Sequence, residues 1–186
     1  MQFQQTLKKN YSFEGKGLHF GKNARMTVCP APEDTGIVFV RTDIGKDAVI
    51  EALAENVSNT ARSTTISKGE ASVSTIEHIM SALTGLGIDN AIIEIDNIEV
   101  PILDGSAKPY IDAMWADGVT VQNAPRKYIE ITETIEVSNP EKGSLVRLEP
   151  AEDFHYDIKV DFNSRVLGVQ HAIWSPDVVY AEEIGT

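Results

Sequence analysis

The sequence predicts an α+β fold, a two-layer sandwich in which helices pack on one face of a sheet. Two observations predict it. Six segments are β-branched, often alternating, and bounded by Gly, Pro or Asp/Asn clusters, as strands are. Only two segments carry helical spacing, and they stand apart from the runs of strands.

The strand segments are 26–30 (MTVCP), 37–42 (IVFVRT), 91–95 (AIIEI), 128–137 (YIEITETIEV), 144–149 (SLVRLE) and 156–162 (YDIKVDF). Segment 128–137 has the clearest period of two, with Ile129, Ile131, Ile135 and Val137 on one face. One face of that strand is expected to be buried and the other wet. Glu133 interrupts the pattern, at an open edge or a bulge. The first helix is expected from about Ser74 to Leu86, with Ile76, Ile79, Met80, Leu83 and Leu86 recurring at helical spacing. Ser74-Thr75-Ile76-Glu77 matches a capping box, and Gly85 or Gly87 can end the helix. The second helix is expected from about Lys108 to Asp117, with Ser106 as N-cap, Pro109 in the first turn and Gly118 as the stop. The glycine-rich stretch 15–21 reads as a turn between strands.

A boundary falls near 119–127. It separates a first domain, 1–122, from a second stretch, 128–186, through a linker at 123–127. Residues 146–162 echo residues 26–43: strand, Pro-Ala-Glu/Asp turn, strand, Asp. Two similar hairpins arising by chance explain the echo, and so does a duplicated domain. If the domain is duplicated, the second copy is incomplete and the chain is a fragment.

Composition narrows the function. The chain has 186 residues, 42% hydrophobic and 24% charged, which excludes disorder, collagen and coiled coil. A chain of this length buries roughly 70% of its unfolded surface. The single cysteine, Cys29, excludes an internal disulfide and fits a reducing compartment. No apolar run approaches the roughly 20 residues of a membrane helix, and residues 1–10 lack a signal core. A soluble, cytoplasmic protein is expected. The net charge of −12, with Lys and Arg scattered, argues against nucleic acid as a partner.

Nucleophile elbows, phosphate loops and dinucleotide fingerprints are absent from the sequence. Glu77 and His78 are the most informative pair. At ~100° per residue they fall on opposite flanks of the apolar stripe of the first helix. Glu77 reads as a helix cap or as a general base, and His78 as a surface residue or a metal ligand. Position 82 is Ala82, so no second histidine lies one turn on, and a metal at His78 must recruit distant ligands. His155 and His171 read as surface or packing residues. Asp104-Gly105-Ser106 reads as a turn with an N-cap.

Five motifs in order carry a resemblance. They are Gly17-Leu18-His19-Phe20-Gly21 and Pro30-Ala31-Pro32-Glu33-Asp34-Thr35-Gly36, then Ser74-Thr75-Ile76-Glu77-His78, Gly87-Ile88-Asp89-Asn90 and Pro101-Ile102-Leu103-Asp104-Gly105-Ser106-Ala107. From about residue 4 to the end, the sequence resembles the zinc-dependent UDP-3-O-acyl-N-acetylglucosamine deacetylases of lipid A synthesis. The resemblance implies two similar α+β domains with the active site between them. It implies Glu77 as general base and His78 as a ligand of Zn2+. It places Leu18 and His19 in a loop near the site and the segment holding Arg62 and Ser63 near the sugar. It places Asp161 and Phe162 at the uridine end of an acylated UDP-amino sugar. The role of His19 stays open between loop structure and catalysis. The family's other two zinc ligands and its leaving-group histidine lie in the later second domain, beyond these residues. The 186-residue chain alone is therefore expected to lack useful activity and to bind zinc weakly. The competing reading is a non-catalytic binding or interaction module that kept only the fold.

Overall fold

Apolar residues at alternate positions of Asn23–Pro30 and Ala91–Ile95 build the centre of the main sheet: Ala24, Met26 and Val28 on one strand, and Ala91, Ile93 and Ile95 on the other, are buried. A computed structural model describes residues 2–45, 47–141, 143–153 and 155–185. It divides into two units, Met1–Arg126 with Tyr180–Thr186, and Lys127–Val179.

In chain order the first unit contains β1 (Phe3–Leu7), β2 (Tyr11–Lys16), β3 (Asn23–Pro30), β4 (Ile37–Arg41), β5 (Val49–Glu51), β6 (Val57–Asn59), β7 (Thr65–Lys68) and β8 (Ala71–Ser74). Then follow α1 (Glu77–Gly85), β9 (Ala91–Ile95), α2 (Lys108–Trp115) and β10 (Val119–Pro125). The main sheet has the order β2-β3-β9-β4-β5, with β9 antiparallel to β3 and parallel to β4. Strands β6, β7 and β8 form a second, antiparallel sheet, and β1 pairs with β10. Phe39, Ile50, Ile93 and Ile95 of the sheet share one core with Ile79, Ala82 and Leu83 of α1 and Tyr110, Ile111 and Met114 of α2. This is the expected α+β class.

Two of the quoted motifs are structural. Asp89 accepts the Gln5 N–H at 2.8 Å and pairs with Arg126 at 2.8 Å. Buried Asn90 accepts the Gly36 N–H and donates to Gln4 and Gln122, each at 2.8 Å. Together they fasten β1 and β10 to the main sheet.

The start of α1 differs from expectation. Ser74 ends β8, and α1 begins at Glu77. No capping box forms, because Thr75 takes φ 61° and turns the chain out of the strand before the helix begins. Helix α2 begins at Lys108, as the spacing predicts. The Ser106 hydroxyl accepts the Lys108 N–H at 3.1 Å, and Asp104 in turn accepts from the Ser106 N–H and hydroxyl. Gly118, at φ 68°, donates to the Trp115 carbonyl and closes the helix.

The second unit contains β11 (Ile135–Asn139), β12 (Ser144–Leu148), β13 (Tyr156–Asp161) and β14 (Val169–Trp174), which form two antiparallel hairpins, β11–β12 and β13–β14. Only the last part of the alternating segment 128–137 is strand. Alternation marks which side chains share a face; a strand also needs a partner, and β12 pairs with residues 135–139 alone. Glu133 lies before the strand, so it is neither an edge break nor a bulge. Nor is one face buried, since every residue of β11 is exposed. A short helix, α3 (Tyr180–Glu183), belongs with the first unit. The Tyr180 ring lies on Gly85 and its hydroxyl bonds to Ser81.

The two echoing stretches are not hairpins. β3 and β4 lie on either side of β9, and β12 and β13 pair with β11 and β14 respectively, not with each other.

Candidate active site

Thr75 sets the geometry of the site. A β-branched residue at positive φ is a steric outlier, yet Thr75 is buried at φ 61°. It is held from several directions. Ser74 donates its N–H to Ile98 at 2.8 Å and accepts the Val100 N–H at 3.1 Å, which fixes the backbone on either side of Glu99. The Thr75 hydroxyl donates to Glu99 Oε1 at 2.9 Å. On the other side, Ile76 donates its N–H to the Thr64 carbonyl at 3.3 Å.

The chain then enters α1 with Glu77 and His78 in its first turn, both half-buried. That agrees with their expected place on the flanks of the apolar stripe. Glu77 Oε2 accepts the Thr64 N–H at 2.9 Å. Among the described residues, Glu77 Oε1 and the His78 imidazole have no hydrogen-bond partner. A carboxylate anchored through one oxygen keeps the other at a fixed place for proton transfer, and an unengaged imidazole is free to ligate.

Two further stretches meet this helix start. Residues 60–64 join β6 to β7. Within them Arg62 is exposed at φ 64°, and the Ser63 hydroxyl lies 3.2 Å from that of Ser74. The turn from β2 to β3 carries Leu18, His19 and Phe20, all exposed. Its backbone is closed by Gly17 N–H to the Lys22 carbonyl at 2.9 Å. His19 and Phe20 donate their N–H groups to Glu99 at 2.8 Å each. The structure thus gathers Leu18, His19, Ser63, Glu77 and His78 about one corner of the first unit. Among the described residues, the Arg62 guanidinium makes no hydrogen bond or ion pair.

Glu99 is the residue that the sequence reading missed. Its carboxylate is buried, which by itself would raise its pKa. The His19 and Phe20 amides, the Thr75 hydroxyl and the nearby His19 ring outweigh burial and hold it below the usual range. Its signal in the sequence is an acid inside the apolar run Ile98-Glu99-Val100-Pro101-Ile102. Such an acid must find donors if the run is buried.

Asp161 and Phe162 lie in the second unit. Asp161 ends β13 and accepts the Asn163 N–H at 2.9 Å; Phe162 donates its N–H to Gly168 and leaves its ring exposed. His171 pairs with Asp157 at 2.7 Å on the exposed β13–β14 hairpin, as a surface residue does.

A catalytic zinc takes three protein ligands and an open position. Among the described residues, no three His, Cys, Asp or Glu side chains gather around one point. The donor set available here is one imidazole, His78, with Glu77 beside it.

The order of these motifs has a counterpart in known proteins. A model of the UDP-3-O-acyl N-acetylglycosamine deacetylase family matches residues 4–186. The chain belongs to that family. It is 48% identical over 172 residues to a bifunctional LpxC/FabZ enzyme of Porphyromonas gingivalis, covering 92% of this chain and 37% of that protein. It is 45% identical over 182 residues to a UDP-3-O-acyl-N-acetylglucosamine deacetylase of Helicobacter hepaticus, covering 97% of this chain and 60% of the relative. It is 40% identical over 185 residues to a deacetylase of the same name from Syntrophus aciditrophicus, covering 99% and 58%. The chain therefore spans between about a third and three fifths of the length of the curated relatives it matches. Among the described residues, no helix is long and apolar enough to cross a membrane.

Proposed function

We propose that this chain supplies the first part of a zinc-dependent deacetylase. Its substrate is UDP-3-O-acyl-N-acetylglucosamine, and its products are acetate and a free glucosamine amine. The observation that supports this most is the Glu77–His78 pair at the start of α1, with one Glu77 oxygen anchored by Thr64 and the other unengaged.

Glu77 Oε1 accepts the proton of the attacking water, while the Thr64 N–H on Oε2 keeps the carboxylate from rotating away. His78 supplies an imidazole ligand. A zinc ion held there would make bound water more acidic and polarise the amide carbonyl. Leu18 and His19 border the reacting sugar from the β2–β3 turn, and Arg62 and Ser63 from the β6–β7 connection. Asp161 and Phe162 hold the uridine end, where the exposed Phe162 ring is suited to stack on a base. The remaining zinc ligands and the proton for the departing amine come from the part of the relatives' length that this chain does not span.

The second unit is read as the opening of a second copy of the first. The pairs β11–β12 and β13–β14 correspond in chain order to β2–β3 and β4–β5. The acylated UDP-amino sugar would be met in the cytoplasm.

The test is Glu77→Ala in the intact, zinc-loaded protein. Turnover is expected to fall by about 10²-fold or more, with stability lower by about 1 kcal/mol for the lost bond to Thr64. A variant that keeps its turnover overturns the reading. For residues 1–186 alone, the expectation is no turnover and substoichiometric zinc by metal analysis.

A further inference from the structure

Glu99 is more than a buried acid that found donors. Its two oxygens bind two separate pieces of the site. Oε2 accepts the Phe20 N–H at 2.8 Å, while Oε1 accepts the His19 N–H at 2.8 Å and the Thr75 hydroxyl at 2.9 Å. The first two donors belong to the β2–β3 turn. The third belongs to the residue that turns the chain from β8 into α1. One carboxylate therefore joins the loop that displays Leu18, His19 and Phe20 to the backbone that aims Glu77 and His78.

The neighbouring residues are fitted to this arrangement. A Cβ at Gly17 would stand 2.1 Å from Glu99 Oε2, so the loop can close over the carboxylate only because residue 17 has no side chain. Leu18 and Phe20 are 60% and 52% exposed although the backbone between them is bound to a buried group. A loop with apolar tips outward and a clamped base is built to present those tips in fixed positions. The left-handed Thr75 is the strained part, and such a conformation persists only where its surroundings over-determine it. The Glu99–Thr75 bond is one of those determinants.

We propose that Glu99 is a positioning residue that couples the Leu18–Phe20 loop to the start of α1, so that the loop and the Glu77–His78 pair keep one fixed relation. The coupling is a property of the fold; its consequence for turnover rests on the deacetylase reading above.

The experiment uses the intact protein with Glu99→Gln and Thr75→Val. Glutamine keeps the size but turns an N–H2 toward one of the loop donors. Valine keeps the β-branched shape and removes only the hydroxyl. Amide exchange is read without substrate at His19 and Phe20 for the loop, at Thr64 and Ile76 for the helix start, and at Ile93 as a core reference. Coupling predicts that Glu99→Gln speeds exchange at both sites about tenfold or more beyond the change at Ile93, which reports the global loss of stability. It also predicts that Thr75→Val, which leaves both loop bonds in place, still speeds exchange at His19 and Phe20. Should Thr75→Val leave the loop amides as protected as before, the proposal is overturned. It is equally overturned if the loop and helix-start amides speed up by no more than the factor seen at Ile93. If Glu99→Gln does not fold, Thr75→Val decides alone.

Kinetics then separate positioning from plain stability. Positioning predicts a KM raised about tenfold in Thr75→Val; a purely structural role lowers apparent kcat at constant KM and refutes positioning. A protein with no deacetylase activity at all would remove the functional reading and leave the exchange result to decide the coupling.

Discussion

At Gly17, a methyl group would stand 2.1 Å from a carboxylate oxygen of Glu99. Gly17→Ala must therefore open the loop or push the carboxylate away. A loss of about 1–3 kcal/mol is expected, as for other overpacked sites, and is measured by urea denaturation. Glu99 also makes stability depend on pH. Its folded pKa lies below its unfolded one, so its contribution is complete above the unfolded value of about 4.3 and is lost as pH falls through the folded value. Stability measured from pH 6 downward should fall less steeply in Glu99→Gln, while the variant is less stable by about 2 kcal/mol at neutral pH. A slope unchanged by the substitution would show that other carboxylates govern the acid limb. The roles proposed for Glu77 and His78 come from the resemblance, but their place on the flanks of α1 was legible at this scale because position on a helix follows from spacing. Thr64, Thr75 and Glu99 were not. Each acts through a bond to a residue far along the chain, and one-dimensional spacing does not register such bonds.

The helices follow their sequence closely in their middles and less so at their ends. Ile79, Ala82 and Leu83 of α1 are buried where the 3.6-residue period puts them. Leu83→Ala should cost about 2–5 kcal/mol by calorimetry or denaturant melt. The start of α1 departs from the capping-box reading because left-handed Thr75 turns the chain between Ser74 and Glu77, and Glu77 Oε2 accepts from Thr64 instead. In α2, Tyr110 donates to the Pro101 carbonyl at 2.6 Å and meets Phe13 edge-on at 4.8 Å between ring centres. Burial drives its hydroxyl pKa upward, with the Asp104 charge adding to the effect. Tyr110→Phe leaves that carbonyl unpaired and should lower stability by about 1–3 kcal/mol. Strands β3, β4 and β9 of the main sheet matched their predicted segments within a few residues, because each is flanked by partners that make alternation count, whereas the edge strands β2 and β5 had no predicted segment. Segment 128–137 did not, since its pattern extends beyond the strand available to pair with it.

At the scale of the whole molecule, class and family were readable from the sequence, while the strand order was not. Nothing in residues 26–43 says that β9, some fifty residues on, will lie between β3 and β4. The echo between the two stretches gains meaning only from that order. The chain leaves the first unit after Arg126, whose N–H donates to the Gln2 carbonyl at 2.9 Å, and returns to it at Tyr180. Arg126 is fixed by Asp89 and the Gly87 carbonyl at one end; at the other, the Tyr180 ring lies on Gly85 and Gly185 packs against Ile111. The second unit is in this sense an excursion with both feet pinned, and a single protease cut within it would not release either piece. The two fragments should travel together through a sizing column under native conditions and separate only in denaturant. Replacing Tyr180 with alanine should let the piece that carries residues 180–185 go.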